Sequence, residues 1–151
     1  MGCEIERKFT ISDFPDNLED YDFHIIEQAY LTTEPVIRVR REDAEYYMTY
    51  KKKSDSSMLL RTEYNLPLTK EAYDTLKSKA DGNIITKKRV LIPYGDYTIE
   101  LDIFDGKFKG IVVAEVEFPT IEEAESFVPP VWFKEDVTGV REYTNSYMSR
   151  M

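Results

Sequence analysis

The sequence predicts a mainly β (α+β) fold: a single closed, eight-stranded antiparallel β-barrel with a few short helices outside. Three observations carry that expectation. Period-two alternation runs through most of the chain, turn-forming dipeptides separate the clearest alternating segments, and those segments number about eight, which suits a closed barrel.

Taken in order, the strand signals cover Cys3 to Thr10, His24 to Leu31, Val36 to Arg41, Glu45 to Lys52 and Leu59 to Leu66. Three later runs alternate more cleanly and are rich in β-branched or aromatic residues: Ile84 to Ile92, Tyr97 to Phe104 and Ile111 to Phe118. Gly95-Asp96 lies between the first two of these and Asp105-Gly106 after the second, the chemistry of short antiparallel connections. Helices are expected from Thr69 to Ala80, stopped by Asp81-Gly82, and from Thr120 to Phe127, where Thr120 and Glu123 have capping-box spacing. A third is expected over roughly Val140 to Arg150.

Composition sets the outer bounds. The chain has 151 residues, the size of one domain, and neither internal repeats nor a linker divide it, so residues 1–151 read as one unit. Apolar residues make up 42% and aromatics 13%, which argues against disorder, and no apolar run approaches a membrane span. With 29 acidic against 20 basic residues the net charge is −9, so the overall field opposes nucleic acid and anionic membranes, and anions need a local basic site. Cys3 is the one cysteine and no secretory leader opens the chain, so a cytoplasmic address is expected. The Met1-Gly2-Cys3 start fails the myristoylation pattern, because Glu6 stands where Ser or Thr is required.

Alternate side chains of a strand share a face. Glu4, Glu6 and Lys8 therefore point one way and Ile5 and Phe9 the other. The same sorting groups Arg38 with Arg40, Lys51 with Thr49 and Lys53, Arg61 with Glu63 and Asn65, Lys87 with Arg89, Glu100 with Asp102, and Glu115 with Glu117. Alternation alone is what the solvated outside of an ordinary sheet shows. The sorting by sign is different, since a surface built for solubility intersperses charges. Clustered carboxylates call for a cation between them and clustered Lys and Arg for an anion, a pairing that a hard divalent metal and a polyphosphate satisfy together. Oxygen-only ligands favour Mg²⁺ or Mn²⁺, and His24, without an identifiable partner, reads as structural. Tyr46, Tyr47, Tyr50, Tyr94 and Tyr97 read as barrel packing rather than a base-stacking surface.

The ordered series Glu4-Ile5-Glu6-Arg7-Lys8, Val36-Ile37-Arg38-Val39-Arg40, the Lys51 strand, Arg61-Thr62-Glu63, Lys87-Lys88-Arg89, Ile99-Glu100-Leu101-Asp102 and Ala114-Glu115-Val116-Glu117-Phe118 resembles the CYTH, or triphosphate tunnel metalloenzyme, superfamily. Val137-Thr138 to Tyr143-Thr144-Asn145 is similar to its closing motif, and the type is closest to the bacterial inorganic triphosphatases. The resemblance implies that the charged face lines a tunnel. It assigns phosphate to Lys8, Arg38, Arg40, Lys51, Arg61, Lys87 and Arg89, and metal to Glu4, Glu6, Glu63, Asp102, Glu115 and Glu117. It gives Lys8, Glu63, Glu100 and Asp102 to catalysis. One departure stands out: Asn65 follows Glu63 where the family often carries a second glutamate, which bears on a second metal.

The expected activity is Mg²⁺- or Mn²⁺-dependent hydrolysis of tripolyphosphate to pyrophosphate and phosphate by metal-activated water. The alternatives are a class IV-type adenylate cyclase, a thiamine or nucleoside triphosphatase, and a non-catalytic polyphosphate-binding module. The expected partner is a small anionic triphosphate, on a monomer or homodimer.

Overall fold

The computed structural model describes residues 2–54 and 59–151; Met1 and residues 55–58 lie outside the described residues. Eight strands close on themselves: β1 (Gly2–Ile11), β2 (Phe23–Thr33), β3 (Val36–Glu42), β4 (Glu45–Lys53), β5 (Leu60–Pro67), β6 (Ile85–Tyr94), β7 (Tyr97–Phe104) and β8 (Val112–Glu117). Around the barrel the order is β1-β5-β4-β3-β2-β6-β7-β8, and β8 returns to β1 through the register Glu6↔Glu117 and Lys8↔Glu115. All eight expected strands form, antiparallel throughout.

A ninth strand, β9 (Phe133–Asp136), was not foreseen. It pairs with β1 through Phe9 and Ile11, beyond Gly2 to Ile5 where β5 is bonded. Four residues after Pro129-Pro130 are too short a run for alternation to register.

The helices follow their caps. In α1 (Lys70–Lys79) the Thr69 side chain accepts from the Ala72 amide, and in α2 (Ile121–Ser126) Thr120 accepts from Glu123. The single third helix is corrected to two pieces, a 3₁₀ turn Arg141–Tyr143 and α3 (Asn145–Met148). Thr144 between them is extended, φ −89° and ψ 144°, and its hydroxyl caps α3 at the Tyr147 amide, a local bond that competes with helix continuation.

The apolar faces point outward and are covered from outside. Phe9, Val90, Ile92, Ile99, Leu101, Val116 and Phe118 pack with Ala124 of α2 and with Phe127. Ala29 and Val39 pack with Tyr73 of α1. Helices thus replace solvent on the face that alternation made apolar, and the charged face is left to the lumen.

The two barrel ends differ. At one end lie the Glu42/Glu45 and Tyr94/Tyr97 hairpins; at the other lie the Thr33/Val36 hairpin, Lys53, Ile85, Phe104 and Val112. The second end is plugged by Tyr30, Ile85, Phe104, Phe108, Val113 and Met148 of α3. The C-terminal segment is tied down by Asn83, whose amide donates to Ser149 O at 2.8 Å and whose side chain donates to Met148 O and Met151 O. Gly82 makes that approach possible: its φ is +104°, and a Cβ there would sit 2.2 Å from Ser149 O.

Candidate active site

Strand alternation brings one side chain in two from each wall into a common cavity of about 230 Å³. Lys8, Arg38, Arg40, Lys51, Arg61, Lys87, Arg89, Glu4, Glu6, Glu63, Glu100, Glu115 and Glu117 all line it. Asp102 does not: it is fully buried in the wall behind Lys87 and Arg89. His24 lies outside the cavity, with Nδ1 at 2.6 Å from Asp43 Oδ2 in the β3–β4 turn. Cys3 is exposed and free.

The acidic side has one tight group. Carboxylate oxygens of Glu4, Glu6 and Glu117 all lie within 4.8 Å of one another, the one such set among the described residues. Glu6 and Glu117 are direct cross-strand partners, as are Glu100 and Glu115, and like charges so placed repel. Burial first, then Glu115 and Glu4, push the Glu6 carboxyl up to about 7. Burial, then Glu4, Glu100 and Glu6, push Glu117 to about 8. Glu4 is likewise burdened by burial, but Lys51 Nζ at 3.0 Å outweighs it and holds the carboxyl below its ordinary value. These oxygens are hard donors crowded without enough protein cations, and they fit a divalent ion. Glu63, Asp102 and Glu115 stand outside the group, and each lies within 4.0 Å of a cation of the protein.

The basic side divides in two. Lys87 Nζ is 2.6 Å from Asp102 Oδ2 and donates to Asn145 Oδ1 at 3.0 Å; Arg89 grips Asp102 through Nε at 2.7 Å and Nη2 at 2.9 Å, and reaches Glu100 and Glu115 at 3.3 Å. Burial disfavours the Asp102 anion, yet Arg89 and Lys87 hold its carboxyl below the usual range. Glu115 is also buried and also held well down, by Lys8, Arg89 and Lys87. Arg38 has no such partner: it is 8% exposed, its Nε has no hydrogen bond, and among the described residues neither it nor Arg61 has a carboxylate within 4.0 Å. Arg40 reaches Glu42 only at 3.9 Å, its Nε donating instead to Gln28. A buried guanidinium without a carboxylate is a receptor for an anion.

Several lumen residues escaped the sequence reading. Gln28 donates to Asn145 Oδ1 at 2.8 Å, which ties α3 to the wall. Tyr47 belongs to the lumen, a correction to its place among packing tyrosines: its hydroxyl accepts from Arg40 Nη1 and donates to Glu42. Its register with Arg40, shared with Thr49 and Lys51, was the available signal. Tyr46, Tyr50, Tyr94 and Tyr97 do make ring contacts with other aromatics. Asn65 sits exposed at the tunnel mouth, accepting from Thr49 Oγ1 at 2.6 Å and donating to Glu63 at 3.3 Å, outside the Glu4/Glu6/Glu117 group.

Residues 2–151 match the family model described as the CYTH domain. The chain is 34% identical over 153 residues to a protein named inorganic triphosphatase from Nitrosomonas europaea, covering 97% of this chain and 96% of that one. It is 33% identical over 147 residues to another so named from Acetivibrio thermocellus, covering 97% and 92%. The crystal structure of the inorganic triphosphatase NE1496 superposes with a TM-score of 0.72 at 32% identity, covering 100% of this chain and 97% of that one.

Proposed function

The chain belongs to the CYTH domain family, and from that premise we propose that it is a metal-dependent triphosphatase, one domain over residues 1–151, that hydrolyses tripolyphosphate to pyrophosphate and orthophosphate. The observation that carries the reading is the pairing, within one lumen, of mutually repelling carboxylates with two arginines, buried Arg38 and half-buried Arg61, that have no carboxylate within 4.0 Å among the described residues.

Glu4, Glu6 and Glu117 would hold the divalent ion, Mg²⁺ or Mn²⁺ by the hardness of the oxygen donors. Such an ion supplies Lewis-acid polarisation of phosphate oxygens and a lowered pKa for water. Arg38, Arg40 and Arg61 take the phosphate oxygens through paired N–H donors and fix the chain in the lumen. Lys8 reads as a catalytic residue at the lumen wall: its Nζ donates to Tyr143 O at 3.2 Å and lies 3.4 Å from Glu115. Glu100 lines the same wall with its carboxyl raised, by burial against the pull of Arg89, and suits proton acceptance from water. Asp102 acts through Lys87 and Arg89 and Glu63 through Lys51, as positioning residues that hold those cations at the wall. In the reaction the water oxygen bonds to a terminal phosphorus, the bridging P–O bond breaks, and the water's proton leaves through a lumen carboxylate.

No helix of the described residues is long and apolar enough to cross a membrane.

The test is a parallel assay of tripolyphosphate, ATP, GTP and thiamine triphosphate with Mg²⁺ and with Mn²⁺, scored for orthophosphate, pyrophosphate and cyclic nucleotide. Orthophosphate and pyrophosphate from tripolyphosphate are expected. Cyclic AMP with pyrophosphate from ATP would replace the reading with a cyclase.

A further inference from the structure

We propose that Gln28 is a positioning residue of the tunnel: its amide oxygen aims the Arg40 guanidinium at the phosphate chain without neutralising it. The inference rests on the triphosphatase reading above.

Gln28 lies on β2 opposite Arg40 of β3 and is fully buried. A buried amide without partners is costly, and both ends of this one are taken. Its Oε1 accepts from Arg40 Nε at 2.7 Å, and its Nε2 donates to Asn145 Oδ1 at 2.8 Å, with Tyr30 Oη at 3.5 Å. The direction of the amide is forced from both sides. Arg40 Nε can only donate, so an oxygen must face it. Asn145 Oδ1 accepts from Lys87 Nζ at 3.0 Å as well, so the amide end that faces it must donate. Arg40 lines the cavity and Gln28 does not, so Gln28 meets a ligand only through Arg40.

Arg89 shows what the charge of that oxygen decides. Both arginines are held through Nε by a side-chain oxygen at 2.7 Å. For Arg89 the oxygen belongs to Asp102, a buried carboxylate that also takes Nη2 at 2.9 Å, and the pair is closed. For Arg40 it belongs to a neutral amide, which fixes the plane of the guanidinium and leaves its charge in place. With Nε taken, the edge left for a ligand is Nη1 and Nη2. Nη1 touches the Tyr47 hydroxyl at 3.3 Å and lies 3.9 Å from the carboxylate of Glu42, which is part-exposed. Burial, then Arg38 and Arg89, disfavour the charged form of Arg40, and an entering anion relieves all three. A planar fork grips two phosphate oxygens at once only in a set orientation, and the amide supplies it.

The experiment measures tripolyphosphate binding to the whole protein by calorimetry without divalent metal, kcat and KM with Mg²⁺, and the thermal midpoint. The variants are Gln28→Met, which keeps the length of the side chain and removes both bonds, Gln28→Glu, which puts a carboxylate on Arg40, and Gln28→Met/Arg40→Ala beside Arg40→Ala. Gln28→Met should bind tripolyphosphate roughly tenfold more weakly, the size of a lost hydrogen bond to a charged group, with the loss in KM rather than kcat. In the Arg40→Ala background the same change should cost less than about twofold, because Gln28 acts through Arg40. Gln28→Glu should lose more affinity than Gln28→Met while its midpoint equals or exceeds that of the wild type, since the buried guanidinium gains an anion. Arg40 and its neighbours Arg38, Arg89 and Lys87 favour the ionised form of that carboxyl. A Gln28→Met loss as large without Arg40 as with it, wild-type affinity in Gln28→Glu, or a Gln28→Glu loss that comes only with a lowered midpoint would overturn the proposal. Wild type that binds tripolyphosphate without releasing phosphate, with the Arg40-dependent loss intact, would sink the hydrolysis reading and leave Gln28 in its role; turnover that no Gln28 variant alters would do the reverse.

Discussion

Two sets of lumen charge lie on adjacent parts of the barrel wall, one on β6 and β7 and the other on β8 and β1, and are built in opposite ways. Asp102 bonds Lys87 and Arg89 at 2.6 to 2.9 Å, and Arg89 also reaches Glu100 and Glu115 at 3.3 Å, so each cation of this set has a carboxylate. Glu4, Glu6 and Glu117 crowd within 4.8 Å, and among the described residues Lys51 alone is at ion-pair distance from one of them. A closed set of pairs is scaffold, because the desolvation of each charge is offset inside the protein. An open set is a site, because its repulsion is relieved only by something that enters.

The comparison breaks first at Asp102. Asp102→Ala leaves buried Lys87 without its carboxylate and Arg89 with only its 3.3 Å contacts to Glu100 and Glu115, and urea unfolding should show a loss of about 3–5 kcal/mol. Glu6→Ala should behave oppositely. It relieves repulsion and leaves the thermal midpoint unchanged or higher, while phosphate release falls about 10²–10³-fold, the equivalent of about 2.7–4 kcal/mol. Lys8→Ala should give a similar activity loss in a folded protein. Next, Mg²⁺ or Mn²⁺ at one hundred times its Kd should stabilise the wild type by about 2.7 kcal/mol in thermal unfolding, and Glu6→Gln/Glu117→Gln should lose that gain.

The smallest effect lies at a paired charge in contact with solvent. Burial raises the Glu27 carboxyl, but bonds from Lys77 and Tyr73, each at 2.8 Å, win and hold it below its ordinary 4.5. A depressed folded value means its stabilisation is present above about pH 4.5 and lost as pH falls through the folded value. Glu27→Gln should flatten that acid limb by under about 0.5 kcal/mol, solvent screening being strong there.

Much of this was legible in the sequence, because alternation and sign sorting are properties of the strand itself. The eight strands and thirteen of the lining side chains followed from period two and the family series, and the cap at Thr120 from its spacing to Glu123. What was hidden depends on distant parts of the chain. Asp102 shares a face with Glu100, yet its partners take it off the lining; Asn145 reaches Gln28 across 117 positions; and Tyr30, Ile85, Phe104 and Val113, on charged faces by parity, become the plug. Alternation gives a face but not a depth along the tunnel.

The most direct measurement of the central claim is phosphate release from tripolyphosphate by the purified protein with Mg²⁺ or Mn²⁺, repeated after chelation and with Glu6→Ala. The account predicts steady release of orthophosphate and pyrophosphate, abolished by chelator and cut at least about a hundredfold in the folded variant. No release with either metal, or release that neither the chelator nor the variant diminishes, would contradict it.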